Sequence, residues 1–416
     1  MRLLGNVTFL LLLGTALMGQ DSMPAKPVIC YYTEEDSFTE ILTDYSKLSN
    51  ARIASTASIE VTFVDFPEQA KTAFNQAVNI WSKYLISSQT IRIKATWSSL
   101  AAGTLAVSGA TRIYKNFTNV PYTNVWYPVP LAEALAGRDL NAGDTDITVT
   151  VNSNINWYYG TDGKAQSGRY DMITIVLHEI AHGLGFSTSV ELVNSDTQAQ
   201  YGQSGSAYIY DTFIQDNNKI KITNTGVYGN PSTDLKNAVT SNALYFGLKN
   251  PKLATALPRL YAPTSFKPGS SLSHFDESTY PQGNPNSLMS PSIKAAEVNQ
   301  DPGELLLNCL SELGWQLNNF VGYVINGTES LPEEVLEVKV FPNPVANELT
   351  IAFPLQSQPR NIRVQLVNAL GSQLQLIERQ SIIVETVYLD VSNLGEGIYF
   401  LKIVDGEKVI SKKIVK

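Results

Sequence analysis

Histidine and cysteine are scarce in this chain: 416 residues carry three His and two Cys. Charge is thin as well. Asp, Glu, Lys and Arg make up 16% of residues and the formal net charge is -8, which gives no electrostatic reason for nucleic acid as a partner. Two cysteines, Cys30 and Cys309, allow at most one disulfide. An exported pair of this kind is often bridged, and two free buried thiols are the alternative. Beyond the first twenty residues no long uninterrupted apolar run occurs, so no stable transmembrane anchor is expected. Aromatic residues are plentiful, with 20 Tyr, and the chain reads as ordered and large enough for more than one domain.

The start, MRLLGNVTFLLLLGTALMGQDS, has a basic residue, an apolar stretch from Val7 to Met18 and small or polar residues after it. That is the layout of a signal peptide over residues 1–20, too short to span a bilayer comfortably. An uncleaved anchor is the alternative. No Cys follows Gly19, which argues against a lipid anchor there. Residues 21–58 are read as an N-terminal extension or pro-segment.

Periodicity places a strand at 59–66 (IEVTFVDF), an amphipathic helix at 67–85 opened by Pro67, and a strand at 90–97 (TIRIKATW). DITVTVN, residues 146–152, is a further strand just upstream of the next helix, 172–184, which Asp171 caps and Gly183 and Gly185 end. Residues 187–273 form a loop-rich lobe, with a strand at 207–214 and a short helix near 234–246. A last helix spans 303–313, with Gly314 at its C-cap. A linker at 319–336 leads to residues 337–416, whose period-two runs at 348–353, 361–368, 386–390, 398–404 and 409–415 predict a small all-β sandwich. The fold class expected is α+β: a catalytic domain at 59–318 with a mixed sheet and one central motif helix, then the sandwich.

The motif is HEIAHGLGF. His178 and His182 stand one turn apart on one helix face, with Glu179 beside them. Two neutral imidazoles so placed can converge on a zinc ion, and a neighbouring carboxylate can take the proton of a metal-activated water. A satisfied core histidine accounts for one such residue, but not for two flanking a Glu on an otherwise apolar helix. The third ligand must come from elsewhere. His274, in SLSHFDES, is the one remaining His; Asp276, Glu191 and Glu297 compete as carboxylate donors. The expected function is a secreted zinc-dependent endopeptidase with Glu179 as general base, acting on protein or peptide substrates. A non-catalytic secreted adhesin or glycan-binding protein is the alternative. An extended substrate could pair with the edge of 146–152. The oxygen donors of Asp139, Asn141, Asp144 and Asp146 form a weak calcium candidate without an EF-hand pattern, more simply read as a solvated turn.

HEIAHGLGF followed by SHFDESTYPQGNPNSLMSPSI resembles the metzincin clan, and within it the leishmanolysin-like branch. The resemblance implies His178, His182 and His274 as ligands, Glu179 as catalytic carboxylate, Gly185 as turning glycine and Met289 as the methionine of a turn beneath the metal. The usual third-ligand position of the clan is Thr188 here, so only the inserted variety fits. Cys30 could hold zinc before activation, as in some related peptidases, but pairing with Cys309 is the favoured expectation. The segments VFPNPVANELTI, VQLVNALGSQL and GIYFLKIVDGEKVISKKIVK resemble the sorting domain of type IX secretion cargo, which implies the secretion machinery as a partner and release or attachment at the cell surface.

Overall fold

The computed structural model describes residues 21–44, 56–248, 257–318 and 339–416, the last without 353–359, 369–372, 383–385 and 406–407. The signal-peptide reading for 1–20 and the linker at 319–336 lie outside the described residues. The chain divides into two compact units between Val324 and Ile325, each considered by itself. It is a mixed α+β protein rich in sheet, with few helices and an all-β C-terminal part.

Six strands form the main sheet of the first unit: β1 (Val28–Leu42), β2 (Ile59–Val64), β3 (Ile91–Ser98), β4 (Thr104–Ala110), β5 (Ile147–Asn152) and β6 (Ser292–Gln300). Their spatial order is β6-β1-β4-β5-β3-β2. β2, β3 and β5 run parallel. β4 is antiparallel to β5 and to β1, and β6 pairs parallel with β1. The strands expected at 59–66, 90–97 and 146–152 are therefore present, but β5 lies between β3 and β4. Both its ladders are filled, so 146–152 has no free edge for a substrate. That expectation is corrected.

Helix α1 (Glu68–Tyr84) buries Ala70, Phe74, Val78 and Trp81, the stripe that its spacing requires. Helix α2 (Met172–Gly183) is buried along its whole length. Asp171 caps it, accepting from the Thr174 amide at 2.9 Å and the Thr174 hydroxyl at 2.7 Å. Two indoles pin it, one at its middle and one at its C-cap: Trp81 Nε1 donates to the Leu177 carbonyl at 3.0 Å, and Trp315 Nε1 to the Leu184 carbonyl at 2.8 Å. Gly183 is required here, since a Cβ would come within 2.4 Å of Ile147 on β5. Helix α3 (Gly303–Leu313) ends at Gly314 in a positive-φ cap. In the lobe, the strand expected at 207–214 is instead a 3-10 turn, Tyr210–Phe213, followed by the two-residue strand Ile214–Gln215, and the helix is shorter, Thr233–Val239.

The second unit holds β7 (Lys339–Phe341), β8 (Glu348–Ala352), β9 (Arg360–Asn368), β10 (Gln373–Ile382), β11 (Thr386–Asp390), β12 (Ile398–Asp405) and β13 (Lys408–Val415). They make one three-stranded and one four-stranded antiparallel sheet. Leu349, Ile351, Val364, Leu366, Leu389, Leu401 and Ile403 fill one shared core, as a sandwich demands.

Glu133, on the short helix Val129–Ala136, is 1% exposed and accepts from the Leu140 amide at 2.9 Å. Burial, aided by the Asp146 and Asp139 carboxylates, raises it from the ordinary 4.5 to about 7. A carboxyl raised on folding contributes stability below its unfolded pKa and loses it as pH rises through the folded one. Glu133→Gln is thus expected to raise the melting temperature by a few degrees above pH 8 and to change it little near pH 4.5. Thermal melts at the two pH values check this; an equal shift at both would rule out the titration as its source.

Candidate metal centre

The three histidines of the chain meet at one point. His178 and His182 come from α2, and His274 from the far end of the lobe. The three ring nitrogens lie within 4.8 Å of one another, and every residue of the group is buried. Each ring is held from behind by a backbone carbonyl. His178 Nδ1 meets the Leu288 carbonyl at 2.7 Å, His182 Nδ1 the Phe186 carbonyl at 2.7 Å, and His274 Nδ1 the Ser270 carbonyl at 2.8 Å. A carbonyl oxygen only accepts, so each Nδ1 carries the proton and each Nε2 presents a lone pair.

Those lone pairs face one another. His178 Nε2 lies 3.1 Å from His274 Nε2 and 3.0 Å from His182 Nε2. Protonating the rings is not the remedy that this pocket favours. Burial lowers His178 to about 4 and His274 to about 3, and lowers His182 well below its ordinary value. Neutral imidazoles with converging lone pairs repel unless a cation sits among them. Nitrogens bound to one tetrahedral zinc stand roughly 3.4 Å apart, so the donor set fits that ion in number, kind and spacing.

Glu179 adds to the picture. It is wholly buried, burial raises it to about 8, and neither carboxylate oxygen accepts a well-formed hydrogen bond. The Cys30 sulfur, a Glu179 oxygen and a His178 nitrogen also lie within 4.8 Å of one another. Ser108 on β4 fixes the backbone beneath, its hydroxyl donating to the Glu179 carbonyl at 2.9 Å.

The flanking turns explain how the three rings are presented. Gly185 has φ +115°, and a Cβ there would meet Pro128 at 2.9 Å. This left-handed residue folds the chain back so that the Phe186 carbonyl reaches His182. Met289 is fully buried in a turn closed by the Ser290 amide on the Ser287 carbonyl at 2.9 Å. The residue before it supplies the carbonyl for His178, and Met289's own carbonyl accepts from the Phe275 amide at 2.8 Å, next to His274. The turn is thus bonded to two of the three histidine segments.

The competing donors are engaged elsewhere. Glu191 pairs with Lys26 at 3.0 Å, Asp276 accepts from Ser278 and Thr279, and Glu297 accepts from the Lys294 amide at 2.9 Å. Thr188 donates to Asp211 at 2.6 Å. In the acidic turn, Asp139 pairs with Arg92 at 3.3 Å, and Asp146 accepts from the Asn141 side chain at 2.6 Å and the Arg92 amide at 2.8 Å. The Asn141 side-chain oxygen is left without a hydrogen-bond partner, and among the described residues the acids of the turn form no cluster of three converging donors.

Sequence reasoning missed two contributors, Ser108 and Asp211, and offered Cys30 as a zinc donor without foreseeing its place beside Glu179. Asp211 is buried and takes hydrogen bonds from the Thr188 hydroxyl, the Ser189 amide at 3.0 Å and the Tyr208 amide at 3.0 Å, while the Thr188 amide donates to Ser273 at 3.1 Å. It ties the chain leaving α2 to the lobe that carries His274. No feature of its surroundings in the sequence marks it.

The expected Cys30–Cys309 bridge is not formed; both thiols are free and buried. Cys30 faces Glu179 from β1, whereas Cys309 lies on α3 among residues that include Tyr210 and Tyr280. Thiol titration in denaturant without reductant is expected to count two thiols per chain, with almost none reacting in the native protein. A denatured count of zero would restore the bridge.

Comparison with known proteins bears on the two parts unequally. Residues 126–251 match the family described as SPBPB7E8-like, a stretch that contains His178, Glu179 and His182 but not His274. An uncharacterized protein of Schizosaccharomyces pombe, PB7E8.01, is 38% identical over 64 residues, which cover 15% of this chain and 11% of that protein. The chain thus spans about a tenth of that relative's length. The structure of dimeric latent PorU from Porphyromonas gingivalis overlaps 19% of this chain and 9% of its own at 19% identity and a TM-score of 0.16, too slight to carry an argument. Among the described residues no helix is long and apolar enough to cross a membrane. Residues 339–416 match the secretion system C-terminal sorting domain, the tail that directs export by type IX secretion, so this chain is delivered to the cell surface or the medium.

Proposed function

We propose that the chain is a secreted zinc-dependent endopeptidase, with His178, His182 and His274 as ligands and Glu179 as general base. The observation that carries this reading is the convergence of three Nε2 lone pairs, that of His178 about 3 Å from each of the other two, each forced inward by a carbonyl bond to the opposite nitrogen. Backbone carbonyls at all three Nδ1 atoms are the support that ligating histidines require. Three protein nitrogens leave a tetrahedral ion one open position, the arrangement of catalytic rather than structural zinc.

Bound there, zinc supplies Lewis acidity toward a carbonyl and lowers the pKa of a water. Glu179, whose carboxylate oxygens accept no well-formed hydrogen bond, would take the water's proton and return it to the departing amine. The Ser108 bond and the capped, doubly pinned α2 hold that carboxylate in place. Within zinc peptidases the metzincin reading is the one we favour. It is supported by the turn around Met289, bonded to the segments of His178 and His274, and by the antiparallel strand β4 beside α2.

Metal analysis of the purified chain is expected to find about one zinc per molecule. Glu179→Gln should keep that zinc while peptide hydrolysis falls by at least ~100-fold, the scale of a lost general base. His274→Ala should lose the metal. Absence of stoichiometric metal, or an undiminished Glu179→Gln enzyme, would sink the assignment; the first result would favour the binding-protein alternative.

A further inference from the structure

Thr174, His178 and His182 follow one another at helical-turn spacing along α2, so they share one face of the helix, and all three are buried. Two of them carry imidazoles of the candidate centre. The other is a threonine in the first turn, whose hydroxyl donates to the capping Asp171 at 2.7 Å. The same oxygen accepts from the backbone amide of Asn299, on β6, at 2.9 Å.

Asn299 is 1% exposed, and its side chain continues the run of bonds. Its Nδ2 donates to the Ser287 hydroxyl at 3.0 Å, and its Oδ1 accepts from the Asp301 amide at 3.3 Å. Ser287 opens the turn that holds Leu288 and Met289. Its carbonyl accepts from the Ser290 amide at 2.9 Å and from the Ser290 hydroxyl at 2.6 Å. Leu288, the next residue, supplies the carbonyl that meets His178 Nδ1 at 2.7 Å. The bonds therefore close a circuit. It leaves α2 at Thr174, passes through Asn299 and the turn, and returns to α2 one helical turn later at His178.

A closed circuit constrains more than a single contact does. A carbonyl held by its own turn alone would follow that turn if it shifted against the helix, and the His178 ring would swing with it. Here the turn is referenced to the helix at two points, Thr174 and His178, with one buried amide between them. A second brace holds the segment before the turn: the Asn286 side chain accepts from the Leu305 amide in the first turn of α3 at 3.0 Å. That brace fixes the segment to α3, whereas the link through Asn299 fixes the turn to the helix of the imidazoles. Burying an amide in a strand is costly unless its polar atoms are bonded, and here both Nδ2 and Oδ1 are.

We propose that Asn299 is a positioning residue of the metal centre: through Ser287 it fixes the Leu288 carbonyl against α2, and so sets the orientation of the His178 ring toward the ion. The proposal rests on the three-histidine zinc reading. It gives the buried amide of β6 a role in metal affinity and site geometry, over and above joining sheet to helix. Groups that orient a ligating histidine from behind are worth about ten- to a hundred-fold in metal affinity.

The test compares the full wild-type chain with Asn299→Leu, Ser287→Ala and the double variant. Phe74→Leu, in the buried face of α1, serves as a packing control. Zinc affinity is read by competition with a chelating indicator, and the shape of the site by the visible absorption of the cobalt(II)-loaded protein. Each single variant is expected to weaken zinc binding about ten-fold or more and to shift the cobalt bands. The double variant should bind no more weakly than the weaker single one, because both changes cut the same bond. Phe74→Leu should lower the melting temperature of the metal-free chain and leave zinc affinity and cobalt bands unchanged. Wild-type affinity and wild-type cobalt bands in either single variant overturn the positioning role while sparing the zinc reading. Equal weakening in Phe74→Leu overturns it too, since any loss of packing would then suffice. Should Asn299→Leu not fold, Ser287→Ala decides on the same two readings. A wild-type chain that binds no zinc removes the zinc reading and the proposal together.

Discussion

Three nitrogen lone pairs aimed at one another inside a dry core are the constraint around which the first unit is organised. Each is costly to bury without a partner, and the three cannot partner one another, because every ring has spent its proton on a backbone carbonyl. What holds those carbonyls is therefore as important as the rings. Phe186 is brought round by the left-handed Gly185, Leu288 by the turn at Ser287–Ser290, and Ser270 by the loop closed on Lys267. Three separate turns must be right before the nitrogens converge, and each is locked by its own hydrogen bonds.

Much of this was legible in the sequence, for local reasons. The helix of His178 and His182 has a capping Asp171 and an apolar sequence that needs a core around it, and its spacing alone puts the two rings on one face. His274 was reachable by scarcity, since no other His remained. The strands of the C-terminal unit alternate cleanly enough to be read one by one, apart from the short β7 and the long, polar β10. What could not be read was non-local. β1 has acids at Glu34, Glu35 and Asp36 that break any alternating pattern, and only its tertiary ladders make it a strand. β6 hides in SIKAAEVNQ because polar residues share its buried positions with Ile293, Ala295, Ala296 and Val298: Glu297, Asn299 and Gln300 are satisfied by bonds to Lys294, Thr174, Ser287 and Asp171.

The Cys30–Cys309 expectation failed for a related reason. Counting cysteines treats them as interchangeable, yet a strand joined to β4 carries Cys30 to Glu179, while α3 keeps Cys309 elsewhere in the core. Likewise 207–214 has the residue types of a strand, but Asp211 is captured by Thr188 and Ser189, and the chain winds into a 3-10 turn to deliver it. In both cases pairing between distant segments decided the outcome, a strand ladder for Cys30 and several hydrogen bonds for Asp211.

With His274 as the proposed third ligand, metal binding would be coupled to the order of the lobe that carries it. His178 and His182 belong to a helix that the core fixes whether or not an ion is present. His274 instead depends on the 257–275 segment, on Ser270 and on the Asp211 hub that ties Thr188 and Ser189 to Tyr208. Binding free energy at such a centre is partly folding free energy, because an unoccupied site leaves three lone pairs in repulsion at the point where helix and lobe join. The same geometry ties the sheet to the centre through Ser108, whose strand carries β1 on one edge and whose hydroxyl holds the backbone of Glu179. Strand, helix and lobe thus meet at the His178–Glu179 pair.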